Sequence, residues 1–200
     1  ILISSGIAEE GILLALAATA RHAVVAGEHL PELIVGHGVL GRLLARIVVA
    51  EGGAPVVWET NPERRAGGAE YRVIDPDVDE RRDYRAIVDV SGDAGILDAL
   101  IARLAPRGEV CLAGFYKQRP SFDFAPAFMR EARLRIAAEW QRSDLEQVHE
   151  LVSAGRLSLE ALITHRQEVR TADDVAADAY RTAFDDPACL KMLLDWRACS

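Results

Sequence analysis

Two rhythms of apolar and polar positions alternate along this chain. Short apolar runs occur at Leu33-Ile34-Val35, Val56-Val57-Trp58 and Val110 to Ala113, and mostly apolar ones, interrupted by single charges, at Tyr71 to Ile74, Tyr84 to Val90 and Leu134 to Ala138. They are too brief for helices and suit strands buried on both faces. Between them lie stretches with a 3.6-residue beat. Glu9 to Ala26 places Ile12, Leu13, Leu16, Ala17, Ala20 and Val24 on one side, with Gly27 as a stop. In the next, Val39, Leu40, Leu43, Leu44, Ile47 and Val48 recur at helical spacing, while Arg42, Arg46 and Glu51 fall on the outer face. Further helices are predicted through Ile96, Leu97, Leu100, Ile101 and Leu104, from Asp144 to Ala154 behind a Ser143 cap, and from Ala172 to Phe184, before a closing strand from Leu190 to Leu194. Alternation of this kind predicts an α/β fold, a doubly wound parallel sheet with helices on both faces.

The connections carry their own signals. Asn61-Pro62 opens a short helix that Gly67 and Gly68 end, and Pro106-Arg107-Gly108 reads as a turn into the fifth strand. The acidic connection from Asp75 to Asp83 reads as a solvated loop, with a metal site as the alternative. Tyr116 to Arg130 reads as irregular, and its Phe122, Phe124 and Phe128 either pack on a partner surface or cover a bulky ligand. Leu159 to His165 leads into a further strand or turn.

The chemistry concentrates in one place. Directly after the first strand come Gly36, His37, Gly38, Val39, Leu40 and Gly41, spaced G-x-G-x-x-G, then the helix, the second strand and Glu59. The first glycine permits a tight turn, the second lets a pyrophosphate approach the backbone, and the third lets helix and strand lie close. Free N–H groups at the helix start then face the phosphates. Glu59 follows Gly41 by 18 residues, where a carboxylate accepts bonds from the adenosine ribose diol. The whole segment is a Rossmann-like βαβ unit. In such sheets the ligand crevice lies beyond the C-terminal strand ends, here Ser91-Gly92 and Gly114-Phe115. The same reading places Thr60, Asn61 and Arg64 around the ribose. An acid at position 59 repels the extra phosphate of NADP, so NAD is the expected cofactor, although Arg64 and Arg65 stand nearby.

Composition narrows the classes. The chain has 200 residues, half of them hydrophobic, enough for one sizeable core, and a single dinucleotide-binding domain over 1–200 is expected. A net charge of −8 argues against a nucleic-acid partner. No stretch has the apolar length of a membrane span, since Thr19, Arg21 and His22 interrupt Ile12 to Val25. Three cysteines, Cys111, Cys189 and Cys199, form no C-x-x-C pair and argue against a disulfide framework or a cysteine zinc site; a reduced cytoplasm is expected. The opening Ile1-Leu2-Ile3 carries no start signal, which suggests a piece of a longer polypeptide.

Leu16-Ala-Ala-Thr19-Ala20, Gly36-His-Gly-Val-Leu-Gly41, Glu59-Thr-Asn61, Leu162-Ile-Thr-His165 and Cys189-Leu-Lys191-Met-Leu together resemble the cofactor-binding half of medium-chain dehydrogenases/reductases. Longer strings, among them Val57-Trp-Glu-Thr-Asn-Pro62, Val88-Asp-Val-Ser-Gly-Asp93, Ala127-Phe-Met-Arg-Glu-Ala132 and Cys189 to Trp196, resemble the branch acting in bacteriochlorophyll biosynthesis. That resemblance implies oxidation of a secondary alcohol, a 1-hydroxyethyl group on a bacteriochlorophyllide-type tetrapyrrole, to acetyl, with NAD accepting the hydride. It implies that Thr19 lies near the nicotinamide. It further implies that the zinc-ligand position four residues earlier is Ala15, hence no metal, and that a barrel-like N-terminal domain supplying substrate contacts and the proton relay lies outside this chain. Homodimers are implied too, with Leu190 to Leu194 as a candidate interface. No residue here is assigned as catalytic base. His37 has its backbone N–H toward phosphate with its ring at the crevice or in a structural role, and His165 looks like a strand end.

Two rivals share the glycine pattern. A non-catalytic NAD-sensing module would carry the same strand, glycines and acid. A methyltransferase binding adenosylmethionine would place less demand on the third glycine.

Overall fold

The computed structural model describes residues 9–67, 70–169 and 178–197. The opening Ile1-Leu2-Ile3, Gly68, the first half of the helix expected from Ala172, and Cys199 lie outside the described residues. The chain divides into two compact units, Ile12–Ser158, and Ile1–Gly11 with Leu159–Ser200.

The larger unit runs α1 (Leu14–Val25), β1 (Leu33–Val35), α2 (Val39–Ala50), β2 (Val56–Trp58), β3 (Arg72–Ile74), β4 (Tyr84–Asp89), α3 (Leu97–Ile101), β5 (Leu104–Leu112), α4 (Phe124–Met129), β6 (Arg133–Ile136) and α5 (Arg142–Ser153). Its six strands are all parallel, in the order β3-β2-β1-β4-β5-β6. Leu33 pairs with Val56 on one side and Ile87 on the other, so β1 is central and the winding direction reverses between β1 and β4. That reversal opens a crevice beyond the strand ends.

Strand alternation divides the core. Leu33, Val35, Trp58, Ile87, Val110 and Leu112 share one buried cluster with Leu97 and Leu100 of α3. Their neighbours Ile34, Val57, Val88 and Cys111 are equally buried and point to the other face, where the Leu43, Leu44, Ile47 and Val48 stripe of α2 lies sealed. Beyond it α1 packs on both α2 and α5.

Several boundaries differ from expectation for identifiable reasons. Leu104, expected on a helix, pairs with Tyr84 and begins β5; the register then slips between Tyr84 and Ala86, so Pro106 to Gly108 form a bulge within the strand rather than a turn. The stretch read as irregular contains α4, with Pro126 in its first turn, where a missing N–H costs nothing. The N-cap of α5 is Gln141, not Ser143: Gln141 and Asp144 form a reciprocal capping box. Ile12, expected inside, is largely exposed, and Arg42, expected on the outer face, is buried.

The smaller unit contains β7 (His165–Glu168), α6 (Asp178–Asp185) and β8 (Met192–Asp195). The expected closing strand is thus shifted to Met192–Asp195, and it pairs in parallel with β7 as a two-stranded sheet separate from the six-stranded one. Arg166 bonds Glu9 at 2.7 Å within this unit. Among the described residues no helix is long and apolar enough to cross a membrane.

Candidate functional site

The glycine loop follows β1 immediately. Gly36 takes φ +103, a left-handed conformation for which a side chain would be strained, and its N–H donates to the Trp58 carbonyl at 2.9 Å. At Gly41 a Cβ would lie 1.9 Å from the Gly36 carbonyl oxygen, so the third glycine is sterically compulsory. Around Gly38 a Cβ would meet nothing within 4 Å. Gly38 is the N-cap of α2, no side chain caps that helix, and half-buried Val39 and Leu40 form its first turn. The uncapped helix start thus has open space beside Gly38, an arrangement fitted to a phosphate.

Glu59 at the end of β2 is buried, and both its oxygens are held by backbone. Oε2 accepts the His37 N–H at 3.1 Å and Oε1 accepts the Asn61 N–H at 2.8 Å. A carboxylate has about four acceptor sites. The remaining ones suffice for a ribose diol, and the acid ties the glycine loop to the end of β2. Asn61 in turn accepts the Glu63 N–H through its side chain.

His37 is turned inward. Its Nδ1 bonds the Arg64 carbonyl, which can only accept, so Nδ1 carries the proton and Nε2 accepts from the Tyr71 hydroxyl at 2.9 Å. Burial first, with the Arg42 charge assisting, overrides that carbonyl bond and lowers its pKa to about 4. Arg64 and Tyr71 thus hold the ring, and the His37 backbone N–H, expected toward phosphate, is taken by Glu59. Arg42 braces the same turn, donating to the carbonyls of His37, Arg64 and Ala66 at 3.2, 3.1 and 2.9 Å. Arg65 is spent on the Glu59 and Thr60 carbonyls and on Asp75.

Gly36, His37, Gly38, Glu59, Thr60, Arg64, Trp58, Pro76, Ser91 and Ile96 line one cleft of about 380 Å³ across the reversal point. The cleft brings together Gly36, His37, Gly38, Glu59, Thr60, Arg64 and Ser91 of the residues singled out in the sequence, whereas Asn61 is not among its lining residues. The acidic connection is not merely solvated: Pro76 lines the cleft and Asp79 is buried. A second cavity of about 430 Å³ lies at the ends of β4 and β5, lined by Ser91, Gly92, Asp93, Ala94, Phe115, Lys117 and Gln118. Gly92 has φ +75, and a Cβ there would lie 2.8 Å from the Phe115 carbonyl oxygen; a Cβ on Gly114 would lie 3.2 Å from Val90 Cα. Phe115 itself is wholly exposed. Beneath them Asp89, which sequence reasoning did not single out, is fully buried and accepts the Ser91 N–H at 2.9 Å and the Tyr116 hydroxyl at 2.7 Å. Burial and that carboxylate push the Tyr116 pKa far up, so it remains a donor.

Thr19 lines neither cavity, and its hydroxyl donates to the Ala15 carbonyl at 3.1 Å. Among the described residues no group of three or more His, Cys, Asp or Glu side chains could hold a metal ion. His22 contacts Asp144 at 3.0 Å between α1 and α5, and His165 contacts Thr164 at 2.9 Å. Phe122, Phe124, Phe128 and Leu134 line an open cavity of about 630 Å³ beside β6, with Phe124 and Phe128 ring centroids 5.5 Å apart.

No protein-family model matches the chain. It is 58% identical over 193 residues to the 2-desacetyl-2-hydroxyethyl bacteriochlorophyllide A dehydrogenase of Rhodobacter capsulatus, covering 96% of this chain and 60% of that one. To the protein of the same name from Cereibacter sphaeroides it is 61% identical over 191 residues, covering 94% and 59%. The chain therefore spans about three-fifths of the length of these relatives. Among solved structures, an alcohol dehydrogenase of Escherichia coli CFT073 complexed with NADH superimposes with a TM-score of 0.81 at 18% identity, covering 97% of this chain and 61% of the other. A zinc-binding dehydrogenase of Sinorhizobium meliloti bound to NADP gives 0.76 at 16%, covering 94% and 59%. At such identities these two structures bear on the fold alone.

Proposed function

We propose that the chain belongs to the medium-chain dehydrogenase/reductase superfamily and is the nicotinamide-dinucleotide-binding part of an enzyme that oxidises the 1-hydroxyethyl group of a bacteriochlorophyllide to acetyl, with NAD as hydride acceptor, in bacteriochlorophyll biosynthesis. The observation that carries dinucleotide binding is the pairing of an empty space over Gly38 with an uncapped helix start and a backbone-held acid at Glu59. Identity near 60% to two bacteriochlorophyllide dehydrogenases supports the substrate. The fold is one that also holds NADH and NADP in two solved structures, and the cofactor reading itself rests on the glycine loop and Glu59.

The residues divide the work. N–H groups at the start of α2 take the pyrophosphate, Glu59 takes the adenosine ribose, and Thr60, Asn61 and Arg64 border it. Preference for NAD follows from the carboxylate, because a phosphate on that ribose would meet a buried anion. Arg65, already bonded to two carbonyls and Asp75, is not the residue to compensate. The cavity lined by Gly92 and Phe115, with Gly114 beside it in the chain, takes the nicotinamide end. When bound, the cofactor supplies the hydride acceptor, and the hydroxyl proton leaves to a base. The resemblance also proposes Thr19 beside the nicotinamide, a placement the two cavities do not display, since Thr19 lines neither. The enzyme acts as a homodimer in the cytoplasm in this reading.

The third glycine also tells against the methyltransferase, since a fold tolerant at that position would not place Gly41 against the Gly36 carbonyl. The experiment is a calorimetric titration of the full protein with NAD and NADP, repeated with Glu59→Gln, followed by turnover with a hydroxyethyl bacteriochlorophyllide. Tighter binding of NAD, a preference weakened by the substitution, and substrate-dependent reduction of NAD are expected. Binding without turnover would favour the sensing module, and no binding would sink the dinucleotide reading.

A further inference from the structure

Asp79 belongs to none of the roles above, yet it is a buried carboxylate with a full set of partners. Its Oδ2 accepts the Trp58 indole N–H at 2.7 Å and the Tyr84 hydroxyl at 2.7 Å, and its Oδ1 accepts the Arg81 N–H at 2.9 Å. Arg103 approaches the carboxylate at 3.9 Å, donates to the Asp79 carbonyl at 2.6 Å and the Pro76 carbonyl at 3.3 Å, and lies 4.5 Å over the Trp58 ring. Burial raises the acid's pKa, but hydrogen bonds from Tyr84, the Arg81 N–H and Trp58, with the Arg103 charge, outweigh it and hold the carboxyl below its ordinary value. A buried ion costs desolvation that apolar packing would avoid. What this one secures is position, since Trp58 cannot turn without leaving Asp79 short of a donor in a buried place.

The two things so fixed are walls of the cleft. Trp58 and Pro76 line it together with Glu59 and Ile96. Since Glu59 marks the ribose, the space beside Trp58 and Pro76 is where the purine must go. We propose that Asp79 is a positioning residue that sets the adenosine end of the cleft, holding Trp58 and Pro76 at the spacing a flat purine needs without itself touching the cofactor. This rests on the dinucleotide reading.

The test is Asp79→Asn in the full protein, with binding of NAD and of ADP-ribose measured by calorimetry and steady-state kinetics measured alongside. An amide turns one acceptor into a donor facing donors. The expected result is a tenfold or greater rise in KM for NAD, a parallel rise in Kd for ADP-ribose, kcat at saturating NAD within twofold, and unchanged Kd for nicotinamide mononucleotide, which lacks the adenosine. Trp58→Phe, which keeps an aromatic ring but loses the indole N–H together with part of the ring surface, should give at least a similar loss, and adding Asp79→Asn to it should cost little more. It also carries the test should Asp79→Asn not fold. Unaltered ADP-ribose binding in a folded variant, or equal weakening of mononucleotide and dinucleotide, would overturn the proposal while leaving the dinucleotide reading intact. Failure of the unsubstituted protein to bind ADP-ribose would remove both.

Discussion

Single residues in the glycine loop make opposite demands, and substitution separates them. Gly41→Ala would force a Cβ to within 1.9 Å of the Gly36 carbonyl oxygen, so the turn itself must break and the unfolding midpoint should fall steeply. Gly38→Ala meets no atom within 4 Å. Its unfolding curve should stay close to the parent's, while NAD affinity drops at least tenfold, about 1.4 kcal/mol, because the methyl occupies the phosphate's place. Equal NAD affinity in Gly38→Ala would show that nothing binds there. His37 makes a different demand. Burial lowers its pKa to about 4, so between the unfolded value near 6.5 and about 4 the unfolded chain takes a proton that the native state refuses. Its contribution is fully present above pH 6.5 and is lost as pH falls, by on the order of 3 kcal/mol at the lower end. His37→Asn should therefore be destabilising at pH 7, with the difference from the parent shrinking toward pH 4 in urea unfolding. A constant difference would place the imidazole in water. The glycines and Glu59 were legible in sequence because their spacing is local. The direction of the His37 ring was not, since Arg64 and Tyr71, which capture it, stand 27 and 34 residues away.

At the scale of elements, strands and amphipathic helices were legible wherever the apolar period decided the matter. β1 and β2 match their runs residue for residue, and α2 begins where the fingerprint says it must. Misreadings fell where a pairing partner or a side-chain bond outweighed local signals. Pro106 and Gly108 look like a turn until Tyr84 draws Leu104 into the sheet. Ser143 looks like a cap until Asp144 is seen accepting the Gln141 N–H at 2.8 Å. Asp144 does more than cap α5. The same carboxylate meets Arg21 at 3.3 Å and His22 at 3.0 Å, so it joins α5 to α1, and Arg21 Nε is already buried without a partner. Asp144→Ala removes a cap worth about 1 kcal/mol and leaves a largely buried guanidinium with only the more distant Glu51, at 3.9 Å. A total loss of about 2–4 kcal/mol is expected in chemical denaturation, with Arg21→Met in the same background recovering part of it. A loss under 1 kcal/mol would mean that water replaces the carboxylate.

At the scale of the molecule, the strand order follows from sequence only as a class. Alternation of strand and helix predicts a parallel sheet, and right-handed crossovers leave few arrangements, but which strand is central depends on contacts between distant runs. The observed order puts β1 and β4 side by side, so that Gly36 and Ser91, 55 positions apart, face one cleft. This placement makes a prediction that no single substitution reaches. Cofactor bound at the reversal point touches loops from four strand ends: 36–41, 59–65, 91–96 and 114–118. At a concentration a hundredfold above Kd it should stabilise the folded state by about 2.7 kcal/mol. Hydrogen exchange should slow first in those loops, whose amides are the least protected by the sheet, and little in the interior of β1 and β4, which open only by global unfolding. If protection instead rose along β3 or at the free edge of β6, the ligand would lie away from the reversal point, and the assignment of Glu59 and the glycine loop to one cofactor would fail as a unit.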